Sequence, residues 1–475
     1  MSEISATEYR FLFQKSLPLA VDTDTEGVSR STLFTPASHR SALDPNVTLV
    51  KGAREVGKTY WFTSLLDKEL RELAADEYEL PRLRNIEPLT GFGLDARNDK
   101  YPDKRTLAQL LELHFSALDI WRTVGLVALG TPEMAGLEWK ERVPWVITNP
   151  EDAARAMEEA DQSAGKSGTT KLFLFDALEH LHRERKIADR LAGGILEFAL
   201  DLRLTTKNLR AKVFIRHDML ASAPTDFSDS SKLTSNAADL TWNNQDLYGL
   251  LFQHLGNSTT PLAARFREET GQWRSTGNRF TPPEKLIGDT DAQTTAFIEI
   301  AGPYMGTNHR KGHSYPWLPN HLADGKGQTS PRTFLVALRS AADETAKTNA
   351  NHSTALHWDA IRSGVQEASQ TRVAELREDQ PWVANAIRPL DGHQVPIDQS
   401  TVVTQWESKD LLAELSGTDK NGPAGPVADT YPKLIEELIS LGMMTRRNDG
   451  RLDLPDVYRI AFNLGRKGGV PRVRG

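Results

Sequence analysis

Cysteine is missing from all 475 residues, which rules out disulfide frameworks, thiolate zinc sites and thiol nucleophiles. Long apolar runs are missing too: none approaches the ~18 residues of a membrane span, so no membrane partner is expected. The first residues place Glu3 and Glu8 where a signal peptide needs positive charge, and the expected location is cytoplasmic. Nor is there an excess of positive charge. The net charge of −7 gives no overall pull toward nucleic acid or anionic lipid, so any such binding has to come from a local patch. No G-x-S-x-G elbow or H-E-x-x-H zinc motif occurs. What remains, 39% hydrophobic and 25% charged residues, fits a globular chain with ample core and a length suited to two or three domains.

One stretch organises the rest: Gly52-Ala53-Arg54-Glu55-Val56-Gly57-Lys58-Thr59. It fits the phosphate-loop pattern G-x-x-x-x-G-K-[ST]. An apolar run, Val47 to Val50, enters it as a buried strand would, and Tyr60 to Leu66 leaves it as a helix expected to reach about Ala75. The glycines let the backbone curl so that N–H groups face phosphate oxygens, with the positive end of the helix dipole aimed at the same charge. Lys58 is expected to reach the β and γ phosphates of ATP and the Thr59 hydroxyl to hold Mg²⁺, with Tyr60 completing the nucleotide-contacting run. Gly165-Lys166-Ser167 repeats the ending of the motif, but it precedes a strand instead of following one and reads as a polar surface turn.

Leu172-Phe173-Leu174-Phe175 reads as a fully buried parallel strand with Asp176 at its carboxyl end, where α/β folds place ligands. Asp176 then has two readings, a Mg²⁺ partner opposite Thr59 or the cap of a capping-box start. Glu179 likewise reads as the base that polarises water or as the capping-box acid. A third strand, Lys212 to Ile215, ends in Arg216-His217-Asp218, so Arg216 or Asp218 can sense the γ-phosphate or simply pair with each other. A further strand is expected near Leu89 to Leu94, and helices over 107–124 and 150–163. With 117 positions between Thr59 and Asp176, an insertion is expected at about 95–165. His180 and His182, on a predicted helix, are two apart and do not share a face. His309 and His313 flank Lys311-Gly312 and read as loop residues.

These strand ends resemble the ATPases with an additional strand between the loop and the metal acid, the AAA+ and STAND families among them. Leu174 to Leu181 is similar to the STAND pattern of apolar residues, Asp, a small residue, an apolar residue and an acid, with Ala177 where AAA+ proteins carry a second acid and Glu179 where STAND members more often carry Asp. Leu240 to Leu251 resembles the strand and helix leading into the lid of such proteins. Ser330-Pro331-Arg332 to Leu338 resembles the lid helix whose arginine reads the γ-phosphate, and the resemblance therefore implies that role for Arg332.

Near the end, Tyr431 to Leu441 has the periodicity of an amphipathic helix stopped by Gly442. Met443 to Arg447, the turn Asn448-Asp449-Gly450 and Arg451 to Leu454 then read as a hairpin. Helix, strand, tight turn and strand make a winged-helix ending. Residues 445–475 hold eight Lys/Arg and three Asp/Glu. That excess permits DNA binding through Arg446, Arg447, Arg451, Arg466 and Lys467; winged helices in STAND-type ATPases also act as internal clamps. The whole is similar to a group of bacterial phosphate-loop ATPases with a C-terminal winged helix, some of them linked to defence against phages.

The expected architecture is α/β: an N-terminal extension packed on the core (1–44), a phosphate-loop core with a parallel sheet (45–255), a helical lid (256–375) and a winged-helix domain (376–475). The first expected function is a Mg²⁺-dependent ATPase switch that controls assembly or partner contacts. The second is a regulator or scaffold that holds nucleotide without turnover and binds DNA. A third, a nucleic-acid motor, needs an arginine acting in trans, for which Arg183, Arg185 and Arg190 are unranked candidates.

Overall fold

Leu49 and Val50 are completely buried, and the strand they begin explains why: it is central, with a parallel neighbour on each side. In the computed structural model, which describes residues 4–19, 28–94, 99–416 and 425–468, five strands form one parallel sheet in the order β2-β3-β4-β1-β5. They are β1 Leu49–Gly52, β2 Ile86–Phe92, β3 Thr170–Phe175, β4 Leu209–Arg216 and β5 Ala237–Leu240. Because β3 and β4 lie between β1 and β2 in space, the chain leaves β1, crosses to the far edge and returns. The additional strand between loop and acid is therefore present.

Contacts divide the chain into two units, Thr35–Thr241 and a second made of Met1–Phe34 with Trp242–Gly475. These divisions fall at 34/35 and 241/242, beside the sequence boundaries at 44/45 and 255/256. The N-terminal helix Ala6–Ser16 belongs with the later helices, not with the sheet. It packs on Pro331–Thr348, where Gln14 Nε2 donates to Asp343 Oδ1 at 2.8 Å and Arg339 donates to Gln14 O.

In the sheet unit, alternate residues of β4 face opposite layers. Val213 and Ile215 join the core under helix Arg185–Thr205, while the Phe214 ring meets Phe62 of helix Lys58–Leu66 edge-on, centroids 6.5 Å apart. Trp121, Phe173, Phe175 and Phe198 pack in T-shaped pairs 5.7–6.3 Å apart. Gly91 sits where the β2–β3 register shifts; a Cβ there would come within 2.4 Å of the Phe175 ring. Lys212, fully buried in β4, donates to the carbonyls of Ala42 (2.7 Å), Asp44 (3.0 Å) and Val47 (2.7 Å). Three acceptors match the three hydrogens of an ammonium group, and they fasten the segment entering β1.

Several expected helices differ in detail. The helix after the phosphate loop ends at Leu66, and Asp67 starts a second one, Lys68–Glu77, by accepting from Leu70 N at 2.9 Å. The helix expected over 107–124 is two, Lys104–Glu112 and Ala117–Ala128. His114 takes φ 64° between them, and Ser116 caps the second by accepting from Asp119 N at 3.1 Å. Gly165-Lys166-Ser167 is no turn: it closes helix Pro150–Ser167, which Gly168 ends at φ 66°. His180 ends a short 3-10 turn, Leu178–His180, and His182 lies before the helix that starts at Arg185.

In the other unit, Tyr248 of helix Asn244–Gly256 stacks on Tyr315 at 4.1 Å and donates its hydroxyl to Tyr315 O at 2.7 Å. Helix Pro331–Thr348 crosses the long helix Trp358–Asp379 at Gly364, where a Cβ would stand 2.2 Å from Ala337 O. Beyond it come helix Pro381–Ile387, strand Gln394–Val395, helices Gln399–Glu407 and Tyr431–Ser440, and the antiparallel pair Thr445–Arg446 and Leu452–Asp453. This is a winged helix with its own core around Trp406, Leu434, Leu438, Met444 and Leu452. Gly442 takes φ 74° and Met443 N donates to Leu438 O at 2.9 Å, the stop read from the sequence. Among the described residues no helix is long and apolar enough to cross a membrane.

Candidate functional site: a phosphate loop facing two acids

Three strand ends converge. Gly52, the last residue of β1, is in register with Arg216, the last of β4, and Asp176 directly follows β3. Gly52 has no room for a side chain, since a Cβ would lie 2.5 Å from Val56 Cγ2. Val56, 1% exposed, thus supports the loop from beneath. Glu55 (φ 60°) and Gly57 (φ 101°) make the left-handed turns that curl the loop, and Arg54 and Glu55 stand 3.9 Å apart along it. The loop runs straight into the N-terminus of Lys58–Leu66, so main-chain N–H groups and the helix dipole favour an anion there.

Lys58 Nζ donates to Ala53 O at 2.5 Å and Gly52 O at 3.5 Å. Burial draws its ammonium down to about 8, with the Glu179 charge acting against that and Arg216 adding to it. Thr59 reaches the surface and donates its hydroxyl to Asp176 Oδ2 at 2.6 Å. Burial pushes the Asp176 carboxyl up to about 6, even though the Thr59 hydrogen bond pulls the other way. A buried carboxylate with a raised pKa is a group that gains from an added cation. Hydroxyl and carboxylate oxygens are also the hard donors Mg²⁺ takes, so this pair fits that ion. Tyr60 is half-buried, its ring edge-on to Trp61 at 5.2 Å.

The capping-box reading of Asp176 and Glu179 is not what the backbone does. Ala177 takes φ 57°, and the 3-10 turn Leu178–His180 has no side-chain cap bond. Glu179 reaches solvent at a place where surrounding protein would by itself raise its carboxyl; Arg216 and Lys58 outweigh that and hold it below the usual range. A base that stays ionised at neutral pH, beside a lysine and an arginine, is thereby set among the loop residues.

Arg216 donates from Nε and Nη2 to Asp218 Oδ1 (3.0 Å) and Oδ2 (3.2 Å). Arg185 adds a bond to Asp218 Oδ2 at 3.1 Å. Burial opposes the ionised form of Asp218, yet the two guanidinium groups take its carboxyl down to about 2. From the sequence Arg185 was one of three unranked candidates for an arginine acting in trans; its pairing within the chain spans 33 positions and carries no local signal. His39 was not legible at all. Trp61 Nε1 donates to His39 Nδ1 at 3.0 Å, which leaves His39 Nε2 to donate to Thr241 O at 3.0 Å.

Arg332 lies in the other unit, at the second residue of Pro331–Thr348, with Glu375 3.5 Å away. The winged-helix arginines are also engaged: Arg446 with Glu436 at 2.5 Å, Arg447 with Asp453 at 2.6 Å and Arg451 with Asp449 at 2.7 Å. Arg466 contacts Asp453 at 3.0 Å and Asp456 at 2.9 Å. The exposed face of helix Tyr431–Ser440 offers Lys433, paired with Asp429, and Glu436. His309 opens a short 3-10 turn and His313 bridges Tyr304; among the described residues no cluster of three potential metal ligands occurs.

Sheet order, loop and terminal hairpin together define a phosphate-loop NTPase fold carrying a winged helix. No protein-family model matches the chain, and no curated protein does. Among solved structures, it is similar to the ORC2 protein of Aeropyrum pernix, described in ADPNP-ADP complexes, at 14% identity over 87% of this chain and 85% of that one, with a TM-score of 0.38. It is also similar to Cdc6p from Pyrobaculum aerophilum, at 12% identity over 92% and 93%, with a TM-score of 0.32.

Proposed function

We propose that this chain is a Mg²⁺-dependent ATP-binding and hydrolysing switch of the AAA+/STAND type, whose nucleotide state controls assembly or partner contacts. The observation that carries the reading is the 2.6 Å bond between Thr59 Oγ1 and Asp176 Oδ2 at the mouth of a phosphate loop. Gly52 to Thr59 and Tyr60 bind the nucleotide, their N–H groups and the Lys58 ammonium meeting phosphate oxygens. Thr59 and Asp176 would hold Mg²⁺, which when bound draws charge from the β and γ oxygens. Glu179 orients water and takes its proton as the water oxygen bonds to the γ phosphorus and the bond to the bridging oxygen breaks, giving ADP and phosphate. Arg216 offsets charge on the γ-phosphate from the β4 end. For Arg332 the sequence resemblance implies the role of reading the γ-phosphate.

In this reading the functional parts are a core over 45–255, a lid over 256–375 and a winged helix over 376–475. The ion pairs that occupy the wing arginines favour the winged helix as a protein-contacting or internal clamp over a DNA reader. Hydrolysis is slow or partner-activated, and defence against phages is the biological setting that the sequence resemblance implies. Plating phage on cells with and without the protein and its neighbouring genes tests that setting. Binding of Mg-ATP that is lost in Lys58→Ala tests the site; unchanged affinity removes the proposal.

A further inference from the structure

Arg216 stands at the end of β4 opposite Gly52, and Asp218 holds its guanidinium from two sides, Nε to Oδ1 and Nη2 to Oδ2. A planar, doubly bonded pair of this kind fixes an arginine in direction as well as in place. Both partners are largely enclosed, the side chains being 9% and 14% exposed. Pulling one partner out of an enclosed ion pair normally leaves the other as an uncompensated charge, which is why such pairs seldom open.

Here a second cation removes that obstacle. Arg185 donates to the same Asp218 Oδ2 at 3.1 Å, and Arg185 is itself fixed by Asp189 at 2.8 Å and by Ser222 Oγ at 2.9 Å. Asp218 therefore keeps a hydrogen-bonded counter-charge when Arg216 turns away. The two acids on this network are not equivalent: Asp189 is reached by Arg185, while Asp218 is shared. Arg216 also acts on Glu179 and Lys58 through its charge, so its direction matters to the loop.

The geometry points to Asp218 as a positioning residue that competes with the γ-phosphate for Arg216, with Arg185 making the exchange reversible; this rests on the ATP reading above. Arg216 paired with Asp218 leaves ATP and ADP bound with similar strength. Arg216 turned to the γ-phosphate favours ATP. The Asp218–Arg185 pair thereby sets the preference for triphosphate over diphosphate, a property of the site distinct from its ability to bind nucleotide.

The test is the ratio of ADP to ATP dissociation constants, measured by calorimetry with Mg²⁺ on the full chain and on Asp218→Asn, Arg185→Gln, Arg216→Gln and the Asp218→Asn/Arg216→Gln pair. Asp218→Asn is expected to raise the preference for ATP about fivefold, because it releases Arg216 to turn to the γ-phosphate, the lower end of a typical coupling between two sites. Arg185→Gln is expected to lower it, because Asp218 then depends on Arg216 alone. In the Arg216→Gln background, Asp218→Asn should no longer change the ratio. A merely structural network would weaken both nucleotides alike in both single variants, and equal shifts for ATP and ADP, or shifts of the same sign in Asp218→Asn and Arg185→Gln, overturn the proposal. If the full chain binds ATP in a Lys58-dependent way and the ratios do not move, the Asp218 proposal falls and the phosphate-loop reading stands. If neither nucleotide binds the full chain, the reading itself falls first.

Discussion

Thr59 Oγ1 and Asp176 Oδ2 lie 2.6 Å apart across 117 positions of sequence, and the acid in this pair pays for its burial with a carboxyl raised to about 6. A group whose folded pKa is raised contributes stability below its unfolded value, near 3.8, and loses it as pH rises through about 6. Above pH 6 the ionised Asp176 therefore costs up to about 3 kcal/mol. Asp176→Asn is expected to raise the melting temperature in EDTA at pH 7.5 but not at pH 4, and to abolish any stabilisation by Mg²⁺. Thermal melts at the two pH values, with and without Mg²⁺, check this.

His39 works in the opposite direction. Completely buried between Trp61 and Thr241, its ring is kept neutral, burial drawing it down to about 4. Between about pH 6.5 and 4 the unfolded chain binds a proton that the folded chain refuses, so stability falls as the pH falls. The stability advantage of the native chain over His39→Gln should shrink by up to about 3 kcal/mol from pH 7 to pH 4. Urea titrations across that range measure it. A constant difference would mean that His39 is not the group refusing the proton.

Gly364→Ala should destabilise the helical unit by about 1–3 kcal/mol, because the added methyl meets the Ala337 carbonyl at 2.2 Å and a backbone atom cannot step aside. The readout is the denaturation midpoint. ATP affinity at the loop is expected to be unchanged.

Arg466→Gln should act on stability and not on DNA. Asp453 and Asp456, 2% and 3% exposed, both lose a partner, a loss of about 3 kcal/mol if the remaining Arg447 and Arg459 do not compensate. Filter binding with duplex DNA at two salt concentrations, run beside a thermal melt, separates the two roles. A drop in DNA affinity with a flattened salt slope and no change in melting would make the wing a DNA-contacting surface.

The phosphate loop, the acid after β3 and the arginine that ends β4 were legible because each sits at the end of a short apolar run, where the period changes and polar residues take over. The winged helix was legible from Gly442 and from Asn448-Asp449-Gly450. Breaks inside helices were not: Asp67 and Ser116 are good N-caps, but they stand within patterns whose apolar spacing continues on both sides. The positive φ of Ala177, which takes Asp176 and Glu179 out of a capping box, has no sequence mark, since alanine is among the residues least suited to it. The pairing of Arg216 with Asp218 was one of the two readings their spacing offered, but the bond from Arg185 to Asp218 and the His39–Trp61 bond join residues 33 and 22 positions apart, which no local window contains. The charge excess of residues 445–475 was legible as a count, but its pairing was not, for a related reason. Counting charges does not reveal that Asp449, Asp453, Asp456 and Glu436 meet Arg451, Arg447, Arg466, Arg459 and Arg446 within the fold. Arg472 and Arg474, part of the same excess, lie outside the described residues.

The most direct test of the switch is ATP turnover with Mg²⁺, measured beside ATP binding for the native chain and for Glu179→Gln. Binding retained in both, with turnover in the native chain falling at least about a hundredfold in the variant, is the expected result and makes Glu179 the water-directing base. Turnover undiminished in Glu179→Gln would contradict it.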